Sequence, residues 1–179
     1  LSAGPDGAMA LIYSSGAGPD GDITIRKFAN GDWESSTEVI GRGAKPEVWI
    51  DGQGTPHAVW CESKTGVRYW DGITSQVIVD CACAGRPGLS QDNDGRIHVV
   101  FASDDLEKGA TGRESTKFLY ETIYDGTEWA RPMIVSVSKY QTQPSLTSSD
   151  EGILHLAWAG PGQEREPLAF ASQRQYDCG

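Results

Sequence analysis

The chain has 179 residues, enough to bury a substantial core as one domain or at most two. A net charge of −10 excludes recognition of a nucleic-acid backbone, which needs clustered Lys and Arg. No apolar run approaches the roughly 20 residues of a membrane-spanning helix, and six Trp with six Tyr require packed surroundings, which argues against disorder.

The first segment, "LSAGPDGAMALIY" at 1–13, is the faintest of four related stretches. "PEVWIDGQGTPHAVW" begins at Pro46, "PGLSQDNDGRIHVVF" at Pro87 and "PSLTSSDEGILHLAW" at Pro144, and the three align without gaps. Each has a proline, then a glycine (Gly54, Gly95, Gly152), a histidine (His57, His98, His155) and an aromatic (Trp60, Phe101, Trp158). In the first segment Gly7, Ala10 and Tyr13 take the last three places, and Leu1 falls where Val48, Leu89 and Leu146 fall. The prolines are 41 and 57 residues apart, a spacing of repeat architectures.

Each copy reads as strands. A proline opens a short strand where a missing N–H is tolerated, a Gly/Asp-rich turn comes next, and a second strand ends on the aromatic. Downstream, "ANGDW" at 29, "WDGITS" at 70 and "YDGTEW" at 124 predict type I′ turns between strands three and four. "EVI", "QVIVD" and "MIVSV" supply the fourth strands. Four antiparallel strands at this period describe an all-β fold, the β-propeller, with blades at about 1–43, 44–84, 85–141 and 142–179. With "QYDCG" in the turn after strand three, the last blade of this segment is expected to lack its outer strand. The segment is expected to belong to a larger propeller or assembly, meeting a protein partner or further blades at its open edges. Leu1 is neither an initiator Met nor the start of a signal peptide, and suggests processing from a longer precursor.

The proline–glycine–histidine–aromatic frame followed by "YDGTEW" resembles the BNR/sialidase-like repeat propellers, mostly secreted or surface-attached bacterial proteins. The resemblance spans essentially the whole chain and implies the fold. It implies as an alternative activity a sialidase-like glycoside hydrolase. The family's Asp-box, S-x-D-x-G-x-x-W, lacks its leading Ser-x-Asp here, and the nearest approach to its Arg-Ile-Pro motif is "GRPG" at 85–88. A shared superfold does not carry a shared activity.

The histidines could be metal or acid/base groups, but one buried imidazole per blade, bonded to a neighbouring backbone, explains them more simply. "DNDG" at 92–95 resembles the core of a calcium loop and nominates Asp92 and Asp94, although an Asx turn accounts for the same residues. No other cofactor is indicated. Strand-one positions nominate Glu47, Trp49 and Ser90 for ligand binding, with Arg86 at the rim. Asp104, Asp105 and Glu107 lie in the long segment 102–117, the most distinctive non-repeated feature. Trp49, Tyr69 and Trp70 read as exposed aromatics suited to a glycan, as in a propeller lectin, while Trp33 and Trp129 read as hairpin packing.

Four cysteines without a Cys-x-x-Cys pair point to an oxidising compartment rather than a zinc site. Strand geometry allows Cys61 to bridge Cys81 or Cys83, and leaves Cys178 on the opposite face. The sequence is thus read as a secreted or cell-surface, non-enzymatic propeller that binds or assembles through protein or glycan contacts.

Overall fold

A computed structural model describes residues 1–16, 20–104, 106, 116–139, 142–149, 153–159 and 169–174. Asp105, Glu107, most of 102–117, Gly152 and Cys178 lie outside the described residues. The chain divides into two compact units, Leu1–Asp80 and Cys81–Gly179, each holding two copies of the repeat.

In the first unit the strands are β1 (Ser2–Ala3), β2 (Met9–Ser15), β3 (Gly21–Ala29), β4 (Asp32–Trp33), β5 (Glu38–Ile50), β6 (Pro56–Glu62), β7 (Gly66–Trp70) and β8 (Ser75–Val79). They pair in the order β1-β2-β3-β5-β6-β7-β8, with β4 beside β3. The second unit holds β9 (Cys83–Gln91), β10 (Ile97–Ser103), β11 (Thr116–Tyr124) and β12 (Met133–Lys139) in one sheet. A second sheet there contains β13 (Thr142–Ser148), β14 (Leu154–Ala159) and β15 (Ala169–Arg174), three strands among the described residues. All pairings are antiparallel, as the sequence predicts.

Three local details refine these expectations. First, β5 is continuous through residue 43, where the first and second blades are expected to meet, and its pairing passes there from β3 (up to Gly43) to β6 (from Ala44). Gly41 and Gly43 permit this continuity: a Cβ on Gly41 would lie 2.5 Å from Cζ2 of Trp60, and one on Gly43 would strike the same indole. Second, the repeat prolines sit inside strands, not at their starts. The ladder shifts register between Ala44 and Glu47 around Pro46, and between Thr142 and Ser145 around Pro144. Lys45 and Gln143 adopt φ of 56° and 55° at these bulges. A bulge leaves a residue out of the ladder, so a proline without an N–H does no harm there.

Third, only "ANGDW" makes the predicted turn, with Asn30 and Gly31 both at positive φ (55° and 83°). At "WDGITS" and "YDGTEW" only the glycine does. Asp71 and Asp125 turn their carboxylates back on the loop instead. Asp71 Oδ1 accepts the N–H groups of Ile73 and Thr74 at 2.9 and 2.7 Å, and Asp125 Oδ1 those of Thr127 and Glu128 at 2.8 and 3.0 Å. The Thr127 hydroxyl, which donates to Asp125 Oδ1 at 2.7 Å, together with these N–H groups holds the Asp125 carboxyl at about 2, below the ordinary carboxylate range. An aspartate can cap its own turn in this way where asparagine at the same place took the left-handed region. Trp33 and Trp129 pack at the hairpins as expected, with centroids 5.4 Å from Phe28 and 5.3 Å from Tyr124.

Candidate functional site

The repeat histidines begin strand two, six residues after the turn that leaves strand one. In the second copy Asp51 opens that turn, and its Oδ1 accepts the N–H groups of Gln53 (2.9 Å) and Thr55 (2.7 Å). Its other oxygen lies 3.3 Å from Nε2 of His57, and Nδ1 of His57 lies 2.6 Å from the Tyr69 hydroxyl. With a proton on Nε2, that nitrogen donates to Asp51 and Nδ1 accepts from the Tyr69 hydroxyl, so one ring serves both ends.

The third copy keeps the plan and changes the last partner. Asp92 Oδ1 accepts from the N–H groups of Asp94 (3.0 Å) and Arg96 (2.9 Å), while Oδ2 faces Nε of Arg96 (2.8 Å) and Nε2 of His98 (3.1 Å). Nδ1 of His98 lies 3.0 Å from Oε1 of Glu121. The side chains of His98, Asp92 and Glu121 are 0, 4 and 5% exposed. Burial acts to raise the Asp92 carboxyl, but hydrogen bonds from His98 and Arg96 outweigh it and the carboxyl is lowered. Asp94, nominated with Asp92 for calcium, meets the Arg96 guanidinium at 2.8 Å, as Asp92 does.

The histidines therefore bond side chains, where a backbone partner was expected. Nor is there a buried imidazole in every copy, since His155 is exposed. Ser149 stands in its turn position, and the pairing of Ala157 with Ala171 puts alanine where Tyr69 and Glu121 stand. The first copy loses all three groups together, as Gly4, Ala10 and Ile25. An Asp–His pair is a familiar acid/base arrangement, but one whose ring nitrogens and carboxylate are held by partners on neighbouring strands also ties those strands together. Tyr69→Phe should test this. Leaving Nδ1 of His57 without its donor is expected to lower stability by about 1–3 kcal/mol, read by urea denaturation.

The strand-three partners escaped the sequence because they lie 12 residues after His57 and 23 after His98. Pairing removes that difference: Val59 faces Tyr69 and Val100 faces Glu121. Of the nominated ligand residues, Trp49 is half-buried on β5 opposite His57, with ring centroids 5.5 Å apart, and His57 stacks in turn on Tyr69 at 5.9 Å. Glu47, also half-buried, shares that face of β5. Ser90 is fully buried and donates to Ser148 Oγ at 3.3 Å, whereas Arg86 is exposed and Asp104 half-buried just after β10. Tyr69 and Trp70, expected to be exposed, are 2 and 1% exposed, because β7 is a central strand with both faces covered. Cys61 and Cys83 are disulfide-bonded and Cys81 carries a thiol.

A second feature is a surface. The strands grouped about β2, β6, β10 and β14 are taken as the first to fourth sheets, one per copy, and alternate residues of each of these second strands point to opposite sides of its sheet. On one side, here face A, Ala58, Val99 and Leu156 are 0, 0 and 7% exposed, and Trp60 and Phe101 are both 0%. The corresponding Leu11 and Tyr13 of the first copy are 37 and 39% exposed. On face B, Ile12, Val59 and Val100 are buried, and the corresponding Ala157 is exposed together with His155.

No family model matches the sequence, and no curated protein matches it. Among solved structures it is similar to a Hadza microbial sialidase, Hz136, at 14% identity over 97% of this chain and 43% of that one, with a TM-score of 0.61. It is similar to a mutant of the GH43 protein BlXynB of Bacillus licheniformis at 11% identity, over 97% of this chain and 40% of that, with a TM-score of 0.52. A fucose lectin from Kordia zhangzhouensis aligns at 15% identity over 75% of this chain and 93% of that, with a TM-score of 0.45. The chain spans less than half the length of the first two. At these identities the likeness shows the fold, which is the all-β propeller fold.

Proposed function

We propose that this chain is a non-enzymatic propeller module whose work is binding and assembly, in an extracellular setting. The observation that carries the reading is the first sheet's face A. Leu11 and Tyr13 stand open to solvent at positions that are buried in the second and third copies. Exposed apolar residues at positions built for packing mark a docking surface more than scattered surface leucines do. The disulfide-bonded cysteines support an oxidising compartment, and no helix among the described residues is long and apolar enough to cross a membrane. Glycan contact is a second reading, favoured by half-buried Trp49 held against His57 with Glu47 on the same face.

The apolar-surface dye bis-ANS tests the docking face. Wild-type protein is expected to bind it under native conditions, and a folded Leu11→Asp/Tyr13→Asp double variant to lose most of that binding. Equal binding by the two would remove the surface argument. Turnover of an aryl sialoside that disappears in Glu47→Gln would overturn the non-enzymatic part.

A further inference from the structure

We infer that the third repeat takes up a proton from solution when it folds, holds it in the buried Asp92–His98–Glu121 network, and loses stability as alkali withdraws it.

Two related networks differ by one proton. In the second copy Nδ1 of His57 meets the Tyr69 hydroxyl, which brings its own proton, so an imidazole with one N–H completes both contacts. In the third copy Glu121 takes the place of Tyr69. Nδ1 of His98 lies 3.0 Å from its Oε1, and Nε2 lies 3.1 Å from Oδ2 of Asp92. Ionised carboxylates bring no proton. An imidazole with one N–H would turn a lone pair towards one of these two oxygens. With the ring 0% exposed, water is not at hand to relieve that contact. One further proton, on the ring or on a carboxyl, makes both contacts hydrogen bonds. It belongs to the coupled network as a whole. The folded state favours it by what an unmade buried hydrogen bond would cost.

The network lies inside the second unit, and its charged neighbours among the described residues are few. Asp92 and Arg96 come from the turn between β9 and β10, where Asp92 and Asp94 each hold the Arg96 guanidinium at 2.8 Å. Glu121 comes from β11. Ser90, opposite His98 on β9, is uncharged and donates to Ser148 of β13. The fourth sheet covers face B of the third with Leu146, Leu156 and Trp158, and His155, the titratable residue of β14, is exposed. On β12 Met133 pairs with Glu121, and the exposed Arg131 precedes that strand. Lys117 and Lys139 stand at the far ends of β11 and β12, level with Ser138 and Thr116.

An unfolded histidine releases its proton at about pH 6.5. Below that pH the folded and unfolded states both hold the proton, and the network's contribution is complete. Above it only the folded network does, so folding consumes a proton and stability falls with pH. The ratio of folded to unfolded protein then drops by up to about tenfold per pH unit.

Urea denaturation of the full chain from about pH 6.5 to 8, comparing wild type with Glu121→Gln, tests this. A glutamine amide can donate to Nδ1 as the tyrosine hydroxyl does, so the variant needs no proton from solution. Every other titrating group is common to both proteins. Wild type should therefore lose stability with pH more steeply, by up to about tenfold in that ratio per unit. Parallel pH profiles overturn the inference. Nitrogen and carbon NMR of folded wild type at about pH 7.5 does not depend on the variant folding. The expected result is a proton on both ring nitrogens of His98, or on one of them with Asp92 or Glu121 protonated. A ring with one N–H between two ionised carboxylates also overturns it.

Discussion

Replacing His98 by alanine is expected to destabilise the protein by about 3–5 kcal/mol, whereas His155→Ala should change stability by no more than about 0.5 kcal/mol. His98 is the same residue in the same frame, so the difference measures its surroundings. Its Nε2 and Nδ1 lie 3.1 and 3.0 Å from two carboxylates that are almost wholly buried. A carboxylate only accepts, so both contacts are hydrogen bonds when each ring nitrogen holds a proton or when a carboxyl carries one. Alanine removes both donors and leaves Glu121 and Asp92 buried with Arg96 as the cation at hand. Breaking a buried network from one side is costly because the remaining charge has no water to turn to. His155 stands in the open with neither partner. Chemical denaturation followed by tryptophan fluorescence compares the two. Equal losses would show that the third copy's network does not hold the sheet. Nitrogen NMR of His98 adds a reading that mere packing would not move, namely whether both ring nitrogens are protonated.

The four copies explain how far the residues could be read in advance. Proline, glycine, histidine and aromatic lie at fixed spacing within one hairpin, so the blade repeat and its antiparallel strands were visible as a pattern. The function of the histidine was not, because its second partner comes from strand three across a loop of variable length. The segment after Phe101 moves Glu121 11 residues further from its histidine than Tyr69 is from His57. Only strand pairing brings them to the same place. Similarly, the alternation of a strand puts Leu11 and Tyr13 on one face and does not say whether anything covers it. Coverage is a property of neighbouring sheets. The Asp-Gly turns failed for a smaller reason: the aspartate side chain competes with the backbone for its own loop's N–H groups, which a dipeptide preference does not contain.

The second large effect concerns the joint between the first two copies. Trp60→Ala is expected to cost about 3–5 kcal/mol, since the indole is 0% exposed and sits in the core with Ile12, Ile25 and Val48. Trp60 also determines how β5 can bend: its Nε1–H donates to the carbonyl of Arg42 at 2.8 Å, between the two glycines its ring leans on. Trp60→Phe should therefore lose less, about 1–3 kcal/mol, through the missing hydrogen bond and the smaller ring. Gly41→Ala in the wild type forces a methyl against Cζ2, where there is no room. In the Trp60→Phe background that carbon is gone. The double variant should then be more stable than the sum of its parts by about 0.5–3 kcal/mol, the range for residues in contact. Strict additivity would mean that Gly41 answers to the backbone of β5 alone. A positive coupling would identify the tryptophan as the reason a glycine stands there, and the pair as what lets one strand finish the first blade and begin the second.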